Sequence, residues 1–160
     1  MVDARLQARL GYRFTQPALL KQALTHRSTS QKLNYERLEF LGDAFLGAII
    51  ARELYDRFPH ENEGRLTRMR ATLVRQESLA AIARDLQLGN SLVLSTGEMK
   101  SGGHHRDSIL ADVVEAIIGA MYLDCQDLQQ ITPIVLRWYQ PYLLDLQPSD
   151  ALKDPKTRLQ

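Results

Sequence analysis

Tyr35-Glu36-Arg37-Leu38-Glu39-Phe40-Leu41-Gly42-Asp43-Ala44-Phe45-Leu46-Gly47 opens the longest stretch of helical periodicity in the chain, and the pattern runs from Tyr35 to about Phe58, before Pro59. Strand-like alternation bounded by turn residues is hard to find anywhere in the sequence, so the expected fold is all-α. Within this helix Glu36, Glu39 and Asp43 are spaced three and four apart. At about 100° per residue they fall inside a stripe of roughly 60°. The three acids therefore share one face.

A second helix, expected over about Asp107 to Leu123, carries Asp112 and Glu115 three residues apart on one side. Like charges at these spacings repel, and no basic residue sits on either stripe where it would neutralise them. A divalent cation would do so. One turn further along each stripe stands a glycine, Gly47 after Asp43 and Gly119 after Glu115. Glycine inside a helix costs about 1 kcal/mol relative to alanine, and close approach of two helices is a reason to keep it. A crossing near Gly47 and Gly119 would gather Glu39, Asp43, Asp112 and Glu115 into one nest of oxygen ligands, suited to Mg²⁺ or Mn²⁺. Such a site hydrolyses phosphodiesters by activating a bound water and stabilising the departing oxygen. The ordinary alternative is a solvated acidic face. Against it, Leu38, Phe40, Leu41, Phe45 and Leu46 flank the first stripe, and Ile109, Leu110, Val113, Val114, Ile117 and Ile118 flank the second. Both helices are accordingly expected to be buried nearly all round, where acids need partners or metals.

Outward from these two helices, Val2 to Leu10 reads as a short helix stopped by Gly11, and Pro17 suits the first turn of another that runs to about Leu24. Glu63 to Leu73 and Glu77 to Leu86 are expected helices, the latter closed by Leu88-Gly89-Asn90 as a left-handed stop. Ser95 to Gly103 has loop composition, and Leu128 to Tyr139 is the last expected core helix. Gln147-Pro148-Ser149-Asp150 begins a linker, and Asp154-Pro155 has the form of a new helix start.

The 160 residues suit one domain with a single core, and their 44% hydrophobic and 24% charged content is that of a globular chain. No apolar run is long enough to span a bilayer, and the acid at Asp3 with no apolar segment after it argues against a signal or transit peptide, so a soluble cytoplasmic protein is expected. The net charge of +1 is no basic footprint, but acids on metals and bases on phosphates can cancel in the sum. Cys125 is the only cysteine; with no partner at zinc-ligand spacing and no nucleophile motif around it, it reads as a small buried hydrophobe. His104 and His105 are adjacent in a loop and expected to point apart, exposed, without a third ligand. No Glu-x-x-His motif supports a redox di-metal bundle, and no serine lies in a nucleophile motif.

Glu36-Arg37-Leu38-Glu39-Phe40-Leu41-Gly42-Asp43-Ala44 resembles, without a departure, the signature of the ribonuclease III family in its bacterial form. The resemblance extends over Ala23 to Ser28, Arg68 to Val74, Gly97 to Gly103 and Ser108 to Ala120, essentially the whole chain. It implies a single helical endonuclease domain over 1–146 that forms a two-fold homodimer and hydrolyses double-stranded RNA with Mg²⁺, for which Mn²⁺ may substitute. The implied products are staggered ends with a 5′-phosphate and a 3′-hydroxyl, and the implied role is processing of rRNA, mRNA and other precursors, with no membrane and no organic cofactor. Carried over by position, the metal ligands fall on Glu39, Asp43, Asp112 and Glu115, with Asp43 and Glu115 tied to catalysis. Glu36 and Glu63 would position substrate, although an acid in a first helical turn, as at Glu63, is also explained by the helix dipole. Phe40 would insert into a pocket of the partner subunit, an ordinary core phenylalanine being the alternative. Because A-form RNA is read through shape, phosphates and 2′-hydroxyls, Arg27, Lys100, Ser101 and Arg106 are candidate contacts. A non-catalytic scaffold of the same family is the rival, and retention of every carboxylate argues against it. In the family a linker like Lys153 to Gln160 leads to a double-stranded-RNA-binding domain, so 147–160 is expected to be that linker, and the domain beyond it is absent from this sequence.

Overall fold

A computed structural model describes residues 4–148. The start of the first expected helix at Val2 and the linker from Ser149, with its Asp154-Pro155 helix start, lie outside the described residues. Eight α-helices are present among those described: α1 Ala4–Leu10, α2 Pro17–Ala23, α3 Glu36–Arg57, α4 Glu63–Val74, α5 Gln76–Asp85, α6 Thr96–Lys100, α7 Asp107–Cys125 and α8 Leu128–Leu144. The only β-type pairing among them is an isolated bridge between Thr25 and Val93. The fold is all-α, and no described helix is long and apolar enough to cross a membrane.

The apolar run of α7 makes it the axis of the domain. Ile109, Leu110, Val113, Val114, Ile117, Ile118 and Met121 are all buried, and α3, α5 and α2 pack around them. The expected all-round burial holds for α7 and fails for α3. Phe40 is 82% exposed and Tyr55 is exposed as well, because the flank of α3 away from α7 faces solvent in the single chain.

The helices cross at Gly42 and Gly119. A Cβ on Gly42 would lie 1.7 Å from the Glu115 carbonyl oxygen, and one on Gly119 would lie 2.3 Å from that of Leu38, so the two backbones touch. Gly47, the expected crossing point, has nothing within 4 Å of where its Cβ would be. It lies on α3 beyond the region where α7 is in backbone contact.

Local chemistry explains the remaining boundaries. Asn62 caps α4 by accepting from the Arg65 N–H at 2.9 Å, and Asp127 caps α8 by accepting from Gln129 at 3.0 Å. After α5 the left-handed residue is Gln87, at φ 57°, and Leu88–Ser91 is a 3₁₀ turn, so the stop precedes the expected Gly89. The expected loop from Ser95 holds the short helix α6, whose Ser95 hydroxyl accepts from the Glu98 N–H at 3.1 Å, with a 3₁₀ turn at Gly103–His105. Helix α8 passes its expected end at Tyr139 and carries Pro141, because Tyr139 and Leu143 are both buried in the core.

Long-range hydrogen bonds fasten the N-terminal segment. The Trp138 indole donates to the Leu10 carbonyl at 2.8 Å, and the Arg137 side chain covers Gly11, whose φ of 81° ends α1. Asp124, near the end of α7, accepts from the Tyr12 hydroxyl at 2.6 Å and from the N–H groups of Thr15 at 2.8 Å and Gln16 at 2.7 Å. Cys125 is half-buried rather than buried, since it sits in the last turn of α7 where the core ends.

Candidate metal centre

Just beyond the glycine crossing, α3 presents Glu39 and α7 presents Asp112 and Glu115 to a common point. One oxygen from each of these three carboxylates can be chosen so that all lie within 4.8 Å of one another. Asp43, more exposed on the next turn of α3, is within hydrogen-bonding reach of Glu115. The close backbone contact at Gly42 and Gly119 is what allows acids from two helices to converge so tightly.

The cluster is electrostatically loaded. Burial pushes the Glu115 carboxyl up to about 9, and its contact with Asp43 and the charges of Asp43, Glu39 and Asp112 act in the same direction. Glu39 is pushed up to about 7, first by burial, then by contact with Asp112 and by the charges of Asp112, Glu36 and Asp43. Each carboxyl thus favours a proton when no cation is near. All the donors are carboxylate oxygens, partly enclosed and mutually repelling, which is the chemistry of a hard divalent cation site.

A polar cavity of about 320 Å³ adjoins the cluster, lined by residues that include Arg27, Tyr35, Glu39, Glu98, Arg106, Ser108 and Asp112. Arg106 is paired with Glu98 at 2.6 Å and Arg27 lies 3.7 Å from Glu36, so two cations stand at the cavity wall, each held by an acid. Of the candidate RNA contacts, Arg27 and Arg106 border this cavity. Lys100 and Ser101 are exposed at the end of α6, and the Ser101 hydroxyl donates to the Glu98 carbonyl at 3.1 Å.

Glu36 lines both the polar cavity and an apolar one of about 590 Å³ that includes Leu33, Phe40, Leu41 and Leu123. Glu63 is elsewhere, in the first turn of α4, beside a groove with Ala51, Leu54, Tyr55 and Arg70. The structure does not bring it to the carboxylate cluster of its own chain. The rings of His104 and His105 do not point apart. They lie with centroids 3.9 Å apart, because the 3₁₀ turn folds the segment back on itself.

Sequence reasoning assigned no role to Tyr35, Glu98 or Ser108. A signal for Glu98 was present in Ser95-Thr96-Gly97-Glu98, the spacing of a helix-capping box. Here the Glu98 side chain turns to Arg106, and the Ser95 N–H donates instead to the Ser28 hydroxyl at 3.0 Å.

The chain is similar to known proteins over nearly its whole length. The family model described as Ribonuclease-III-like matches residues 16–142. The chain is 70% identical over 158 residues to Ribonuclease 3 of Acinetobacter baumannii, covering 99% of this chain and 69% of that protein. It is 64% identical to Ribonuclease 3 of Pasteurella multocida, covering 98% of this chain and 68% of the relative. The crystal structure of the nuclease domain of ribonuclease III from Campylobacter jejuni superposes with a TM-score of 0.86 at 38% identity, covering 92% of this chain and 100% of that one. With its glycine crossing and convergent carboxylates, the chain belongs to the ribonuclease III family of endoribonucleases.

Proposed function

We propose that this chain, as a two-fold homodimer, hydrolyses phosphodiester bonds of double-stranded RNA at a divalent-metal site formed by Glu39, Asp43, Asp112 and Glu115. The observation that carries this reading is the convergence of the Glu39, Asp112 and Glu115 oxygens within 4.8 Å, from two helices in backbone contact. Mg²⁺, or Mn²⁺ in its place, would when bound supply a water activated at neutral pH and charge stabilisation for the leaving oxygen. Asp43 and Glu115 are the acids assigned to the chemistry, with Glu115 the more enclosed of the two.

The other residues bind and orient. Arg27 and Arg106 exchange their partners Glu36 and Glu98 for phosphate oxygens, and Lys100 and Ser101 contribute weaker contacts at the rim. Glu36 positions the strand beside the cluster, and Glu63, distant from the cluster of its own chain, serves the partner's half of the groove. Phe40, largely exposed beside Leu33 and Leu123, is the interface anchor. A ribonuclease III nuclease domain from Campylobacter jejuni is described as having a region involved in dimer formation, which supports the same for this chain. The assigned products carry a 5′-phosphate, a 3′-hydroxyl and staggered ends. The assigned role is cytoplasmic processing of rRNA and mRNA precursors by a catalytic domain over 1–146 with a linker over 147–160.

The test is cleavage of a long double-stranded RNA at low salt with Mg²⁺, with EDTA and by Glu115→Gln, followed by analysis of the ends. Metal-dependent cutting to staggered 5′-phosphate ends, lost in the variant, supports the reading. Cutting that survives EDTA and the substitution refutes it.

A further inference from the structure

Tyr35 sits at the entry of α3 and is 4% exposed, yet its hydroxyl emerges at the carboxylate cluster, 3.3 Å from Asp112 Oδ2. The Tyr35 backbone and ring are both fixed. Its N–H donates to the Thr25 carbonyl at 2.9 Å, its own carbonyl accepts from the Glu39 N–H at 2.8 Å, and it meets the His26 ring edge-on at 5.6 Å. Thr25 is itself fully buried, and the flanking His26 N–H donates to the Val93 carbonyl at 2.9 Å. A tyrosine with so few degrees of freedom presents its hydroxyl at one place. Against a carboxylate oxygen, which only accepts, the phenol hydroxyl is the donor.

We infer that Tyr35 is a positioning residue: its hydroxyl donates to Asp112 and holds that carboxylate in the orientation in which it joins Glu39 and Glu115. The inference rests on the metal reading of the cluster. Ligand carboxylates oriented by a hydrogen bond from a fixed neighbour bind metal more tightly than free ones, and loss of such a neighbour typically weakens binding about 10–100-fold. Asp112 is within hydrogen-bonding reach of Glu39 on one side, and the Tyr35 hydroxyl gives it a second, fixed contact at Oδ2. That contact holds the carboxylate in place before any cation arrives.

The test is calorimetric titration of Mn²⁺ into the metal-free 160-residue chain and its variants. Tyr35→Phe keeps the packed ring and removes only the hydroxyl. The comparison is Tyr12→Phe, which removes another buried tyrosine's bond to a carboxylate, Asp124, far along α7. Mn²⁺ affinity should fall about ten-fold in Tyr35→Phe and stay unchanged in Tyr12→Phe. In RNA cleavage the half-saturating Mg²⁺ concentration should rise by the same factor, with kcat at saturating Mg²⁺ changed far less. In the native chain, ¹³Cζ labelling of tyrosine should show the Tyr35 resonance shifting as Mg²⁺ is added while that of Tyr12 stays put, a readout that requires no substitution. Native-like affinity in Tyr35→Phe, or a Tyr35 resonance blind to Mg²⁺ that does bind, overturns the inference and leaves the metal reading standing. A native chain that binds no Mn²⁺ overturns both.

Discussion

Gly42 stands so close to Glu115 that a single added carbon would lie 1.7 Å from the Glu115 carbonyl oxygen. The obstacle is backbone on both helices, so no side-chain rotation relieves it. Gly42→Ala should cost about 3 kcal/mol or more, at the upper end of overpacking effects, and Gly119→Ala should behave alike. Gly47→Ala, with nothing within 4 Å, should stabilise by up to about 1 kcal/mol through helix propensity. Urea unfolding of the three variants checks this, and a Gly47→Ala penalty as large as that of Gly42→Ala would contradict the assigned crossing.

The carboxylate cluster makes the metal-free domain sensitive to base. The Glu115 carboxyl is raised in the folded state from 4.5 to about 9, so the native state holds that proton more tightly than the unfolded chain. The associated stability is complete below pH 4.5 and is lost as pH rises through about 9. Glu115→Gln, fixed in the neutral form, should therefore melt above the parent at pH 8.5 without metal, by about 2 kcal/mol after discounting for solvent screening. The gap should close towards pH 5. Mn²⁺ at 100 times its Kd should add about 2.7 kcal/mol to the parent and much less to the variant.

His26 gives the opposite slope. It is 8% exposed, and burial lowers its pKa from 6.5, while Nδ1 accepts the Ser28 N–H at 3.0 Å and so requires an unprotonated nitrogen. A lowered folded pKa means stability is present above 6.5 and lost as pH falls below it through the folded value. Melting curves of the metal-free chain between pH 7 and pH 5 should show this loss, and His26→Gln should flatten it. An equally steep acid limb in the variant would place its origin elsewhere.

Phe40 is 82% exposed in the single chain and borders an apolar cavity with Leu33, Leu41 and Leu123. Phe40→Asp should convert a dimer to a folded monomer by sedimentation, with helical content unchanged and RNA cleavage reduced at least ten-fold. A dimeric Phe40→Asp chain would remove Phe40 from the interface.

The long helices were legible because their periodicity is set by burial. Ile109 to Met121 follows the pattern of a central helix, and spacing put the acids on one face of each long helix, while their meeting depended on where the two helices cross. Where the reading went astray, distant parts of the chain made the choice. Gly42 and Gly47 look alike as helical glycines, and only the position of α7 selects the first. Gln87 adopts the left-handed conformation beside a glycine better suited to it, since Leu88 is fully buried and fixes where the turn falls. The last expected helix ends at Tyr139, but the burial of Tyr139 and Leu143 carries it across Pro141 to Leu144. The role inferred for Tyr35 depends on Asp112, 77 positions away, and no local pattern announces it.

The N-terminal fastenings also bear on the order in which the chain can mature. Leu10 waits for Trp138, 128 positions later, and Tyr12 waits for Asp124, 112 positions later. During synthesis the first helix leaves the ribosome before its hydrogen-bond partners, Arg9 meeting the Leu86 carbonyl and the Leu10 carbonyl meeting Trp138 only later. A chain halted before Trp138 would carry α3, α7 and all four acids of the cluster, yet lack the indole that holds the Leu10 carbonyl. Completion of α8 is thus the event that closes the domain, so the carboxylate cluster is assembled in sequence before the structure holding it is sealed.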